Sequence, residues 1–265
     1  MAGFAATLLK SVVPMTVLDC ESYESALCSI CSAYKIDRAR LVDFLITTDL
    51  DEEYKRASHQ SVFGETLTNL FESQFGKPPT AFDSVAWFHL TRVPEGTTFS
   101  DGILPLNLAL PKVWQAVVSS VSDTQRRERL EELHSEGVPD FQYNFKTNDK
   151  LHFGPHAMLV RESAFHAESM GNHDYLRLPE IVEDVCNGYE TRYGESICAE
   201  ISQALRKCIV KFVISDNAAG AYTEEALKYC WCKANEQPLD TSANSCYDAE
   251  GKTIPPEAIQ EVQFL

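Results

Sequence analysis

The segment VAWFHLTRVPEGTTFSDGILPL, residues 85–106, decides the fold that this sequence predicts. Five of its first six residues are apolar and two of these are aromatic, which is typical of a buried strand. The Pro-Glu-Gly sequence that follows predicts a turn. One histidine, His89, interrupts the apolar run, and Thr91 and Arg92 come directly after it. This polar triplet on an otherwise buried strand is the first candidate functional feature of the chain.

The sequence before this strand predicts helices. Apolar residues recur at helical spacing in residues 21–45 and predict two helices joined by a short link. A third helix is predicted at about residues 61–75, and it ends at the Gly-Lys-Pro-Pro sequence of residues 76–79 because proline cannot continue a helix. We therefore divide the chain into a helical N-terminal region, residues 1–80, and a body, residues 81–265.

The body combines helical and strand patterns, so the expected fold class is α+β with a mixed sheet. Helices are predicted at Leu108–Val121, at the charged segment Asp123–Gly137, and from a start near Pro179. Strands are predicted at Val85–Leu90, within Leu151–Ser163, and at Lys207–Ile214, Glu225–Cys232 and Ile259–Leu265.

Composition limits the partners that we expect. The chain has 23 Lys and Arg against 39 Asp and Glu, a formal net charge of -16, which repels nucleic-acid backbone and anionic lipid. No segment approaches the roughly 20 apolar residues of a membrane span, and the apolar start lacks the cationic region of a signal peptide. Nine irregularly spaced cysteines indicate reduced thiols. We expect a cytoplasmic protein with no membrane association, whose macromolecular partner is protein rather than nucleic acid.

Two short motifs lack the surrounding residues that their usual function requires. The Gly-Lys-Thr sequence of residues 251–253 is similar to the end of a phosphate-binding loop, but Cys246 stands where that loop needs a glycine, and prolines follow. Cys28 and Cys31 have the spacing of a zinc motif, but a second such pair is missing, and the Cys-Trp-Cys sequence at 230–232 has strand spacing. We interpret these cysteines as buried thiols.

Histidines are concentrated in the body. Six of the seven fall between residues 85 and 175, and five of these are candidates for a functional role, namely His89, His152, His156, His166 and His173. They bracket the predicted strands and could converge as metal ligands, or as a general base beside a cysteine. A metal-dependent hydrolase is therefore one alternative for the function.

The sequence FHLTR, residues 88–92, followed by FSDGILPL, residues 99–106, resembles the first motif of ADP-ribosyltransferases of the His-Tyr-Glu type. This family includes poly-ADP-ribose polymerases and DarT-like toxins. In it, a strand carrying His-x-Ser/Thr precedes a hydrophobic stretch with a Gly-Leu pair, and NAD binds in a cleft between two small sheets. The resemblance implies this fold for the body and NAD as the substrate.

The resemblance also implies roles for the residues of this motif. His89 would hold the adenosine ribose side of NAD, and Thr91 would support it with its hydroxyl group. Arg92 would contact the pyrophosphate, which a guanidinium can bind bidentately. Gly102 matches the glycine of the hydrophobic stretch. Without the resemblance, His89 is equally well explained as a core histidine bonded to a backbone carbonyl.

Two later stretches agree with the same family. The sequence FGPHAMLVRES, residues 153–163, matches the strand that leads toward the nicotinamide-stacking tyrosine, so His156 is a further candidate cofactor contact and Tyr175 the candidate tyrosine. Residues 207–214 and the ending, residues 251–265, are similar to the late strands of that fold.

The catalytic glutamate of the family has no unmistakable match. Glu180, Glu183 and Glu257 are candidates for positioning the acceptor. The first two also fit acids at a helix N-terminus, and Glu257 follows two prolines. From the resemblance as a whole, we expect an NAD-dependent ADP-ribosyltransferase that modifies a macromolecular acceptor. The main alternative is a non-catalytic protein-interaction module, and whether the chain is an enzyme stays open at this point.

Overall fold

The computed structural model describes residues 16–59, 66–79, 82–216 and 218–265. These residues form an α+β structure in which ten helices pack around a six-stranded sheet. The strands are β1 (Val17–Leu18), β2 (Ser84–Val93), β3 (His156–Met158), β4 (Arg206–Ser215), β5 (Cys246–Asp248) and β6 (Ile259–Phe264). The helices are α1 (Tyr23–Tyr34), α2 (Arg38–Thr47), α3 (Leu50–His59), α4 (Thr66–Phe75), α5 (Leu106–Ser120), α6 (Thr124–Glu136), α7 (Phe141–Asn148), α8 (Glu180–Tyr193), α9 (Cys198–Ala204) and α10 (Thr223–Ala234).

Strand β2 lies in the middle of the sheet. The strand order is β5-β3-β2-β4-β6, and the two-residue β1 adds a short parallel pairing to the start of β2. β2 and β4 form an antiparallel ladder of ten residue pairs, from Ser84 opposite Ser215 to Val93 opposite Arg206. The predicted strands of residues 85–90, 207–214 and 259–265 are therefore confirmed.

Both faces of β2 are covered, which explains why its first five residues are all buried. Side chains alternate along a strand, so Val85 and Trp87 face one way and Phe88 and Leu90 the other. The Val85 face packs into the main hydrophobic core, to which α1, α2, α4 and α10 contribute. The helices predicted before residue 80 therefore share their hydrophobic core with the sheet.

A second core lies among the helices α5–α9. Trp114 of α5 and Tyr143 of α7 are buried there, and the indole N–H donates a hydrogen bond of 2.9 Å to the tyrosine hydroxyl. Side chains of Asp123 and Asp140 accept hydrogen bonds from the first turns of α6 and α7, as N-caps do. In the described part of the chain, no helix is long and apolar enough to cross a membrane.

The strand predicted at Glu225–Cys232 is wrong, because these residues belong to helix α10. Ala226, Leu227 and Cys230 recur at helical spacing and are buried against the other helices of the main core. Helices α3, α7 and α9 and strands β1 and β5 were not predicted. For the helix predicted at residues 61–75, residues 66–75 form α4, and 61–65 lie outside the described residues.

The segment after β2 is held against the chain near its end by a close backbone contact. The Ile103 amide donates to the Ile254 carbonyl at 2.9 Å, and the Ile254 amide donates back at 3.0 Å. Gly102 has a φ of +78°, and a Cβ atom there would lie 2.0 Å from the Ile254 oxygen. Only glycine permits this approach, so Gly102 has a structural reason to be glycine.

This contact predicts different costs for two alanine substitutions. Gly171 also has a positive φ, +64°, but a Cβ atom there meets nothing within 4 Å. We expect Gly171→Ala to lower the free energy of unfolding by about 1–2 kcal/mol. Gly102→Ala should cost roughly 1–3 kcal/mol more, because the backbone must also move away from Ile254. Urea unfolding of both variants measures the difference, and equal costs would contradict the close contact.

Candidate functional site

The candidate site begins where the pairing of β2 with β3 ends. The described ladder between these strands consists of the pair Phe88 and Met158. At the next position along β2, the half-buried side chain of His89 makes the contact between the strands: its Nδ1 lies 2.8 Å from the backbone oxygen of His156. A histidine ring thus bridges two strands at the point where their backbone ladder stops.

This hydrogen bond fixes the chemical state of the His89 ring. A carbonyl oxygen can only accept, so Nδ1 must carry the hydrogen. Burial lowers the pKa of His89, nearby His156 lowers it further, and the bond to the carbonyl only partly opposes them. The ring is therefore neutral at pH 7, and its Nε2 is a hydrogen-bond acceptor without a partner among the described residues.

The predicted triplet is divided between the two faces of β2. Thr91 lies on the same face as His89 and is partly exposed. Arg92 points to the opposite face, where its guanidinium donates to the backbone carbonyls of Leu176 and Leu205, both at 2.7 Å, and of Ser202. The guanidinium is occupied by the protein backbone, and Arg92 does not join the other two residues.

Tyr175 and Glu180 are brought together by the structure. The Tyr175 hydroxyl donates to Glu180 Oε1 at 2.9 Å, and Lys146 Nζ lies 3.0 Å from Glu180 Oε2. Burial raises the pKa of Glu180, but Lys146 and Tyr175 outweigh it and hold that pKa below its usual value. Tyr175 packs against the cluster that contains Phe88. The pair therefore lies on the face of β2 opposite His89.

The other predicted residues are spread around the sheet. His156 is exposed, and its Nδ1 lies 3.8 Å from Asp248 Oδ1 on the neighbouring strand β5. Glu183 contacts Arg177 and His173. Glu257 is exposed and precedes β6, at the opposite edge of the sheet from β5. The carboxylate beside His156 is Asp248, which the sequence pattern did not indicate because a three-residue strand shows no periodicity.

The clustered histidines do not form a metal site in the described residues, since no three His, Cys, Asp or Glu side chains lie close enough together to hold an ion. Each of the other histidines has its own neighbour. The His152 ring packs on Phe145, His166 lies 3.6 Å from Glu162, and His173 Nε2 lies 2.6 Å from the Leu178 oxygen. Cys230 and Cys232 are buried free thiols on α10. In the described part of the chain, therefore, no set of metal ligands supports the metal-dependent hydrolase.

Comparisons of this chain with protein-family models, with curated proteins and with solved structures gave no match.

The contacts of Arg92 predict a structural role that can be tested. Arg92→Met leaves three backbone carbonyls without their donor, so we expect the free energy of unfolding to fall by about 2–3 kcal/mol. Arg206→Met is the matched control, because Arg206 is exposed on β4 and its ion pair with Glu95 should contribute less than about 1 kcal/mol. Thermal unfolding compares the two variants. An Arg92→Met protein as stable as the control would show that the guanidinium is free for a ligand.

Proposed function

We propose that this protein is a cytoplasmic NAD-dependent ADP-ribosyltransferase that modifies a protein acceptor, and that its body has the fold of that family. The observation that carries the proposal is the hydrogen bond from His89 Nδ1 to the His156 carbonyl. Because Nδ1 carries the hydrogen, Nε2 of the neutral ring is a hydrogen-bond acceptor. It lies on β2, the strand whose sequence resembles the first motif of the ADP-ribosyltransferases. A ribose hydroxyl of NAD is a donor of matching chemistry.

The protonation state of the His89 ring matters for NAD binding, which precedes the proposed reaction. When the bond between nicotinamide and ribose breaks, nicotinamide leaves with the bonding electrons and positive charge develops on the ribose. The acceptor nucleophile then bonds to the same carbon and loses its proton. His89 is assigned to the adenosine ribose, so its low pKa serves binding: the unprotonated Nε2 can accept a hydrogen bond from a ribose hydroxyl, which a protonated ring could not do. Thr91 lies two positions along the strand, about 7 Å away, on the same face.

Glu180 is the carboxylate that we propose for positioning the acceptor. Lys146 and Tyr175 keep it ionised and oriented. It lies on the face of β2 opposite His89, so in this proposal the acceptor is positioned from the other side of the strand. The net charge of -16 favours a protein acceptor over a nucleic acid.

A non-catalytic interaction protein is the second candidate, and a specific observation favours it. Arg92 is engaged with backbone carbonyls, and neither Glu180 nor Glu257 contacts His89 in the described residues. A protein that uses His89 only to bind a nucleotide, or only to join two strands, would show this arrangement.

NAD binding separates these candidates. We expect the wild-type protein to bind NAD in calorimetry and to release nicotinamide when a protein acceptor is present. His89→Ala should weaken binding by roughly tenfold or more, because the ribose hydroxyl loses its acceptor. The control is His166→Ala, whose exposed ring lies against Glu162.

Each result has a defined meaning. No binding of NAD to the wild type would overturn the proposed function. Binding without nicotinamide release would favour the non-catalytic candidate, and full binding by His89→Ala would remove His89 from the site.

A further inference from the structure

Strands β3 and β5 bring two sulfur atoms together on one face of the sheet. Met158 lies opposite Cys246 in the antiparallel pairing of these strands, so their side chains point the same way. The Cys246 thiol is directed at Met158 Sδ, and the two sulfur atoms are 3.7 Å apart. The two residues are 88 positions apart in the sequence, so the fold is what places them side by side. We refer to Met158 and Cys246 as the sulfur pair.

The sulfur pair lies on the face of the sheet opposite His89. Met158 is the partner of Phe88 in the pairing of β2 with β3, and the two side chains share a small core cluster. Phe88 and His89 are neighbours on β2 and therefore point to opposite faces. The pair is thus separate from the ring nitrogen that we propose as an NAD contact.

An amide side chain contacts both sulfur atoms. Asn244 Nδ2 lies 3.3 Å from Met158 Sδ and 4.0 Å from Cys246 Sγ. Its Oδ1 accepts a hydrogen bond of 2.9 Å from the Val160 amide, and this bond determines which end of the side chain faces the sulfur atoms. An N–H group directed at a thiolate stabilises its negative charge. Asn244 therefore favours an ionised sulfur at Cys246 once the thiol proton is replaced.

Cys246 can be reached from solvent, whereas Met158 lies inside. Cys246 is an exposed free cysteine, and Met158 is 8% exposed. Although the residue is exposed as a whole, partial burial of its side chain raises the pKa of the Cys246 thiol. At pH 7 the thiol therefore keeps its proton, directed at the thioether. A cation that prefers sulfur ligands can take the place of this proton.

We propose that the sulfur pair binds a soft monovalent metal ion, Cu(I). The ion bonds to Cys246 Sγ and to Met158 Sδ, and the thiol proton passes to solvent, so no electron is transferred. A bent arrangement with both sulfur atoms about 2.3 Å from the ion, the length of a zinc–sulfur bond, matches their separation of 3.7 Å. The ion therefore fits without movement of either strand, and the bend leaves room for a third ligand from solvent.

The type of ligand favours Cu(I) over a harder ion. Thiolate and thioether sulfur select Cu(I), whereas structural Zn(II) sites use four Cys, His or carboxylate ligands. In the described part of the chain, no three His, Cys, Asp or Glu side chains lie close enough together to hold an ion, so Cys246 lacks the partners that zinc requires. His156 and Asp248, the next pair along the same two strands, lie against each other.

NMR of the methionine methyl groups, labelled with carbon-13, tests the proposal, because an ion bound to a thioether shifts the signal of the adjacent methyl group. Cu(I) is added to the full chain without oxygen, up to one equivalent. We expect the Met158 signal to shift and the signal of Met170, a second buried methionine, to stay in place. Met158→Leu keeps the apolar volume and identifies the Met158 signal by its loss.

Two cysteine variants separate the sulfur pair from the other thiols. Cys246→Ser should weaken Cu(I) binding at Met158 at least about tenfold, followed through the methyl signal in competition with a copper chelator. Cys28→Ser is the matched control, because Cys28 is also an exposed free cysteine, and it should bind like the wild type. Both substitutions lie at exposed positions, so circular dichroism should stay unchanged.

A Met158 signal that does not move with Cu(I) would overturn the proposal, and so would an equal shift in Cys246→Ser. Zn(II) provides a second test, and one equivalent should leave the Met158 signal in place. An equal shift with Zn(II) would contradict the assignment of the pair to a soft ion. None of these results depends on NAD binding.

Discussion

The ladder between β2 and β4 is the interaction on which the rest of this structure depends. Its ten residue pairs hold β2 in the middle of the sheet, where one face packs Trp87 into the main core and the other packs Phe88 against a smaller cluster. Because each successive side chain on β2 points to the opposite face, the ladder also determines where every polar residue of the strand lies. The position of His89 is a direct consequence.

The two faces of β2 put its polar residues to different uses. On one face, His89 bridges to β3 where the backbone ladder ends, and its free nitrogen can receive a ligand. On the other, Arg92 connects the strand to backbone carbonyls in and beside α9. One side chain is available for recognition, and the other ties the sheet to the helices of the second core. Helix α7 also belongs to that second core, into which it packs Tyr143.

Patterns that involve one element were predictable from the sequence. The apolar runs of β2 and β4 and the helices α1, α2, α4, α5, α6 and α8 were predicted, whereas α3, α7 and α9 were not. The sequence of α10 satisfies helical spacing and strand-like alternation at once. Only packing against the other helices decides between them. In the candidate site, the carbonyl partners of Arg92 could not be predicted, since they lie on segments whose approach depends on the tertiary fold. The contact between Tyr175 and Glu180 is local, but it depends on the conformation of the non-periodic loop before α8, which the sequence pattern does not determine.

The state of the His89 ring can be observed by nitrogen-15 NMR of the folded protein across a pH titration. The structure predicts the Nδ1–H tautomer at pH 7 and protonation with a midpoint below the ordinary histidine value of 6.5. Since the unfolded chain binds this proton more readily, His89 would stabilise the fold above about pH 6.5 and lose that contribution as the pH falls. An Nε2–H tautomer, or a midpoint above 6.5, would contradict the assignment of Nε2 as the ligand acceptor.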